Sequence, residues 1–121
     1  MQKLYDLSLL EELDDKESIL DVLSLFLDNT PAEVKELSLL VQQKNWNVLF
    51  RQAHKIKGAV AILQATKLAE LLGRLEENAK EEKGLSGIEK QVEEITTLFA
   101  QVEIHLREEQ ELIKKELAST E

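Results

Sequence analysis

Cysteine is absent from this 121-residue chain, so it has no disulfide framework, no thiolate zinc site and no cysteine nucleophile. Histidine is nearly as scarce. His54 and His105 lie 51 positions apart, without the close spacing of metal ligands, and no protein-held metal is expected. Positive charge is in the minority: 15 Lys and Arg against 24 Asp and Glu leave a formal charge of −9. A chain this acidic repels nucleic-acid phosphates unless its cations are segregated, so no nucleic acid is expected as a partner. Long apolar runs are missing too. No stretch approaches the roughly 18 residues of a membrane span, and MQKLYDLSLLEELDD lacks the basic start and unbroken apolar run of a signal peptide. A cytoplasmic protein without a membrane partner is the expectation. Nor is there a Gly-rich nucleotide loop or Walker pattern, so ATP binding is not expected.

One Pro, four Gly and 4% aromatic residues, set among abundant Leu, Glu, Lys and Ala, point to an all-α protein, because strands favour β-branched and aromatic runs. The apolar spacing agrees. Ile19, Val22, Leu23, Phe26 and Leu27 form one helical stripe, which Asn29, Thr30 and Pro31 are expected to break. Thr30 as N-cap and Pro31 in the first turn then start a helix carrying Val34, Leu37, Leu40 and Val41 to about Lys44. A further helix opens near Asn45 with Leu49, Ala53, Ile56, Val60 and Leu63 inward. Another opens at a Thr66 cap with Leu68, Leu71, Leu72, Leu75 and Ala79, and ends at the charged turn EEKGLSG. The last runs from about Ser86 through Val92, Ile95, Phe99, Val102 and Leu106. Leu7 to Leu13 is expected to form a short lid. Short connections make neighbours antiparallel, giving an up-and-down four-helix bundle with a short N-terminal helix and a long C-terminal helix. The expectation is a single domain over 1–121, its bundle at about 4–107. Residues 108–121 are expected to form a projecting helical tail, since only Ile113 and Leu117 continue the stripe.

The acidity is uneven. From Leu37 to Ala69 there is no Asp or Glu, while Lys44, Arg51, Lys55, Lys57 and Lys67 contribute +5, leaving −14 for the rest. His54 sits in this window, about 100° around the helix from Ala53 and therefore at the edge of the buried stripe or exposed. Phe50, Arg51, Lys57, Gly58 and Ala61 share its face. Gly58 costs roughly 1 kcal/mol against Ala in a helix interior, a cost that close approach of another molecule offsets. A histidine nitrogen is a competent nucleophile at neutral pH, and a lysine one turn away can stabilise a transferring phosphoryl group. Taken one at a time, each residue also fits an ordinary solvated or packing face.

At this point the chain becomes familiar. Ala53 to Lys80, AHKIKGAVAILQATKLAELLGRLEENAK, resembles the signature of histidine-containing phosphotransfer (HPt) domains: A-H-x-[LI]-K-G, a small-residue stretch, then a Leu-rich helix ending in L-E. Tyr5, Asp6 and Leu7, then Phe26 and Leu27 before Thr30 and Pro31, then Asn45 and Trp46, are similar to other landmarks of these domains. The resemblance therefore covers about Leu4 to Lys80. It implies that His54 is phosphorylated through Nε2, that Lys57 lies near the phosphoryl oxygens, and that Gly58 opens the surface to a partner. It also implies that Glu76 hydrogen-bonds Nδ1 and so holds the ring. Gly73, one turn before Glu76, either lets the two helices approach closely or is ordinary packing. One position departs from the pattern: ten residues after His54, where the family has Gly, stands Gln64. Gln64 either ends the helix facing solvent or narrows the docking surface. His105 matches nothing in the pattern.

The expectation is a monomeric phosphoryl carrier without its own nucleotide-dependent catalysis or cofactor. Its implied partners are response-regulator receiver domains, which supply Mg²⁺, and a hybrid sensor histidine kinase. Gly58, Ala61, Arg51, Lys55 and Gln64 are the expected docking residues. Two alternatives stay open, a helical adaptor in which His54 is incidental, and a degenerate HPt domain that binds receivers without accepting phosphoryl.

Overall fold

The structure is a computed structural model describing residues 4–81 and 85–119. Helices form where apolar residues recur at three and four: α1 (Ser8–Glu11), α2 (Lys16–Gln42), α3 (Trp46–Ile62), α4 (Thr66–Glu81) and α5 (Leu85–Ser119). Asp15 caps α2, its carboxylate accepting from the Ser18 N–H at 2.7 Å, and Asn45 caps α3 by accepting from Val48 at 3.5 Å. Such caps satisfy backbone donors that the first helical turn leaves without partners. Thr66 is the first residue of α4 instead of its cap, and its hydroxyl donates back to the Gln64 carbonyl at 3.4 Å.

The expected break at Asn29–Pro31 does not occur. α2 runs through Pro31 as one helix of 27 residues. Proline inside a helix costs about 3 kcal/mol. Against that cost, Leu23, Phe26, Leu27, Thr30, Val34 and Leu37 are all buried on one stripe crossing the proline, and each large apolar side chain so buried contributes about 1.5–3 kcal/mol. Thr30 lies 3% exposed inside the helix, where it caps nothing. Local signals favoured a break, and the continuous stripe outweighs them.

α2, α3, α4 and α5 pack each on its sequence neighbour, and α5 closes the ring against α2. This is the expected all-α, up-and-down four-helix bundle. Its core includes Leu23, Leu37, Leu49, Ile56, Leu72, Leu75, Ile95 and Leu106, with Phe26 and Phe99 meeting across α2 and α5 at 6.0 Å between ring centroids. None of the described helices is long and apolar enough to cross a membrane. Part of the charged turn expected at 81–87, residues 82–84, lies outside the described residues, as do 120 and 121 at the end of the expected tail.

At a rise of about 1.5 Å per residue, α2 and α5 span about 40 and 52 Å while α3 and α4 span about 25 Å. The long pair therefore outruns the short pair at the α3–α4 turn. The N-terminal segment closes that end, as expected of a lid. The Asp6 N–H donates to the Leu63 carbonyl at 2.9 Å, the Tyr5 hydroxyl donates to Glu109 at 3.2 Å, and Leu10 of α1 is buried. Residues beyond Leu106 run alongside the start of α2 and do not stand free of it: Gln110 donates to Ser24 at 3.0 Å, Lys16 pairs with Glu116, and Ile113 packs against the core.

Both turns flanking α3 use the same device. Lys44 (φ 55°) follows α2 and Gln64 (φ 51°) follows α3, each in the left-handed region. At the second, Ala65 N–H bonds the Val60 carbonyl and Gln64 N–H the Ala61 carbonyl; at the first, Asn45 bonds Leu40 and Lys44 bonds Val41. These are Schellman endings, a place that glycine fills without steric cost.

Candidate functional site

α3 presents His54 at its crest, with α4 on one flank and α2 on the other. Ala53, Ile56 and Val60 anchor the buried side of α3 with no exposed surface. His54, one residue after Ala53, is thereby turned outward, and its side chain is 68% exposed. From α4, Leu72, Leu75 and Ala79 enter the core, and Glu76 is carried with them to the α3–α4 seam, its side chain only 11% exposed.

Three sequence-predicted residues converge at this seam. Glu76 Oε1 lies 3.2 Å from His54 Nδ1 and 2.9 Å from Lys57 Nζ. A buried carboxylate is costly unless paired, and here one oxygen is shared by two nitrogen groups. A carboxylate accepts only, so a neutral imidazole bonded to it carries its proton on Nδ1 and its lone pair on Nε2. Nε2 has no hydrogen-bond partner among the described residues. The ring is therefore held from beneath, with its other nitrogen free to meet an electrophile.

The two glycines have different surroundings. A Cβ built on Gly58 meets nothing within 4 Å, so the bundle itself does not require this glycine, and it leaves an open notch one turn after His54. A Cβ on Gly73 lies 3.9 Å from Lys57 Cδ, an ordinary contact. The helices are not jammed together at Gly73. The Lys57 stem passes over Gly73 on its way to Glu76.

Ala61 and Arg51 are exposed on the His54 side of α3. Lys55 turns instead to α2, where it pairs with Glu33 at 2.5 Å; this partner holds its ammonium above the usual lysine value. Gln52 donates to Glu36 at 3.0 Å and to the Glu33 carbonyl at 3.1 Å. The +5 window is thus partly neutralised in three dimensions, because Glu33 and Glu36 come from α2 and Glu76 from α4. Gln64 sits at the far end of α3, and its side chain accepts from Ser8 Oγ at 3.3 Å. It ties down the lid segment, and its backbone adopts the turn that the family's glycine would adopt freely.

The sequence placed Phe50 on the face of His54 but did not reveal its stacking on the ring, nor a groove beside it. Phe50, one turn before His54, lies nearly parallel to the imidazole, with 6.4 Å between centroids and 16° between planes. Its position at i−4 was the available signal. A groove of about 540 Å³ also opens between α2 and α3, with Leu25, Phe26, Ala59 and Ile62 among its lining residues. Leu25 is 65% and Ile62 45% exposed, a pairing that one-helix periodicity does not reveal.

No curated protein and no solved structure matches the chain. The family model of the Hpt domain matches residues 21–112, which hold α3, α4 and most of α2 and α5, with His54, Lys57 and Glu76 inside the match. The chain belongs to the Hpt domain family.

Proposed function

We propose that His54 accepts a phosphoryl group from the aspartyl phosphate of one receiver domain and passes it to the aspartate of another. Hpt domains act as phosphocarriers in two-component phosphorelays; the route through His54 is the reading that the site supports best. The observation that carries it is the exposed imidazole held through Nδ1 by the buried Glu76, with the Lys57 ammonium on the same oxygen.

In the transfer, the Nε2 lone pair attacks phosphorus in line. The N–P bond forms as the bond from phosphorus to the aspartate oxygen breaks, and that oxygen leaves with the electron pair as carboxylate. Donating its lone pair leaves the imidazole positively charged, and Glu76, already bonded to Nδ1–H, stabilises that charge. Lys57, on a flexible stem and 35% exposed, turns from Glu76 to the phosphoryl oxygens. Such transfers are driven by positioning and charge neutralisation more than by covalent chemistry of the protein. The receiver brings its own acidic pocket and Mg²⁺.

The receiver docks over the Gly58 notch and the α2–α3 groove. Leu25 and Ile62 supply apolar contact, Ala61 stays small, and Arg51 offers charge to an acidic pocket. A hybrid histidine kinase is the upstream donor, and the carrier works as a cytoplasmic monomer.

The test is incubation with a panel of receivers phosphorylated by radiolabelled acetyl phosphate. Acid-labile, alkali-stable label on the native chain and none on His54→Gln is expected. Receiver binding without label would replace the carrier by a receiver-binding adaptor.

A further inference from the structure

Taking His54 as the acceptor, we infer that Phe50 is a positioning residue that sets the plane of the imidazole and hence the trajectory of attack. The Nε2 lone pair lies in the ring plane, so whatever fixes the plane aims the nucleophile. Glu76 holds one atom of the ring, and a single hydrogen bond on a side chain 68% exposed still allows the plane to rock. Phe50 supplies a second restraint. Its ring is half-buried and packed against the core, and it lies 16° from parallel with the imidazole at 6.4 Å between centroids, within the range of offset aromatic stacking.

The two neighbouring turns of α3 are unequal. At i−4 stands the core-anchored ring of Phe50; at i+4 stands Gly58, around which a Cβ would find open space. One side is backed and the other is left clear, so the imidazole is braced without blocking approach to Nε2. Leucine at position 50 would still fill the apolar seat but would present no flat face, whereas tyrosine keeps the ring.

Single-turnover transfer from a receiver phosphorylated with acetyl phosphate is measured for the native chain, Phe50→Leu and Phe50→Tyr. Alongside, the imidazole ¹⁵N spectrum of each unphosphorylated protein reports which ring nitrogen carries the proton. Phe50→Leu is expected to lower the maximal rate about tenfold, since small misplacements of reacting atoms carry large rate penalties, while the half-saturating receiver concentration stays unchanged. Its spectrum is expected to move from Nδ1–H towards a mixture of tautomers, and Phe50→Tyr to restore both readouts. A native rate and spectrum in Phe50→Leu would overturn the inference, and so would equal losses in both variants. The spectrum needs no phosphoryl donor. A chain that takes no label therefore sinks the acceptor reading alone, and the hold of Phe50 on the ring is still decided by leucine against tyrosine.

Discussion

Two polar clusters on this bundle each contain an exposed histidine and carboxylates, and they are built to opposite ends. Around His54, groups from two helices converge: Glu76, 11% exposed, takes both Nδ1 and the Lys57 ammonium on one oxygen, and Phe50 backs the ring. Around the last turns of α5, contacts form in separate pairs. Among the described residues, His105 pairs with Glu108 of its own helix, 3.8 Å away and 69% exposed, while Tyr5 bonds Glu109, Gln110 bonds Ser24 and Lys16 pairs with Glu116. A surface carboxylate on the same helix barely restrains an imidazole, since exposed pairs contribute about 0–1 kcal/mol. A buried carboxylate from a second helix fixes which nitrogen faces out. Exposure alone does not make a histidine reactive. The restraint from below distinguishes the two.

The largest expected effect separates the histidines directly. His54→Gln is expected to abolish acid-labile labelling from phosphorylated receivers, and His105→Gln to leave it at the native level. Undiminished label on His54→Gln would erase the contrast. Next come the carboxylates. Glu76→Ala is expected to slow transfer about 10- to 100-fold, by analogy with the loss when a partner that orients a metal-ligating histidine is removed, with receiver binding retained. Glu109→Ala, which removes the partner of Tyr5, is expected to lower the unfolding midpoint without changing the transfer rate. A common loss of transfer in both variants would mean that the bundle as a whole, not the bond at Nδ1, governs reactivity.

Part of this contrast is legible along the chain: helical spacing puts Lys57 and Gly58 beside His54, whereas Glu76 was pointed to by the family resemblance alone. His54, Lys57 and Gly58 lie within two turns of α3, and Glu76 faces them from α4 across the short 63–65 turn. What lay hidden depends on other elements crossing the same space. Pro31 with Thr30 reads locally as a helix start, yet the buried stripe from Leu23 to Leu37 carries α2 through it. The carboxylate-free window looks strongly cationic until Glu33 and Glu36 of α2 and Glu76 of α4 are placed beside Lys55, Gln52 and Lys57. Likewise residues 108–119 show a fading apolar stripe, while their polar residues hold the start of α2 and the lid.

Gln64 tests whether the family's glycine serves docking or the turn. Its φ of 51° strains a side chain, and a non-glycine residue in this region costs about 1–2 kcal/mol. Gln64→Gly relieves that strain but gives up the exposed bond with Ser8, 3.3 Å long. The net expectation is a gain of about 1 kcal/mol in chemical denaturation, with transfer unchanged. Faster transfer in Gln64→Gly would move this residue from the lid end to the docking face.

The smallest effect belongs to Tyr5. Burial and the neighbouring Glu109 push its phenol up from 10.0 to about 12. Between those values the unfolded chain has lost the phenolic proton and the folded chain still holds it, so the unfolded state binds fewer protons and stability falls as pH rises. Below pH 10 the contribution is fully present. Tyr5→Phe is expected to lower stability by about 0.5 kcal/mol at neutral pH, the lower end for a partly exposed hydrogen bond, and to flatten the decline from pH 10 to about 12. Chemical denaturation of the two proteins across that range measures both effects. Because the phenol closes the lid far from Nε2, transfer at neutral pH should be equal in the two, and a slower Tyr5→Phe would show that the lid end and the His54 face are coupled through α3.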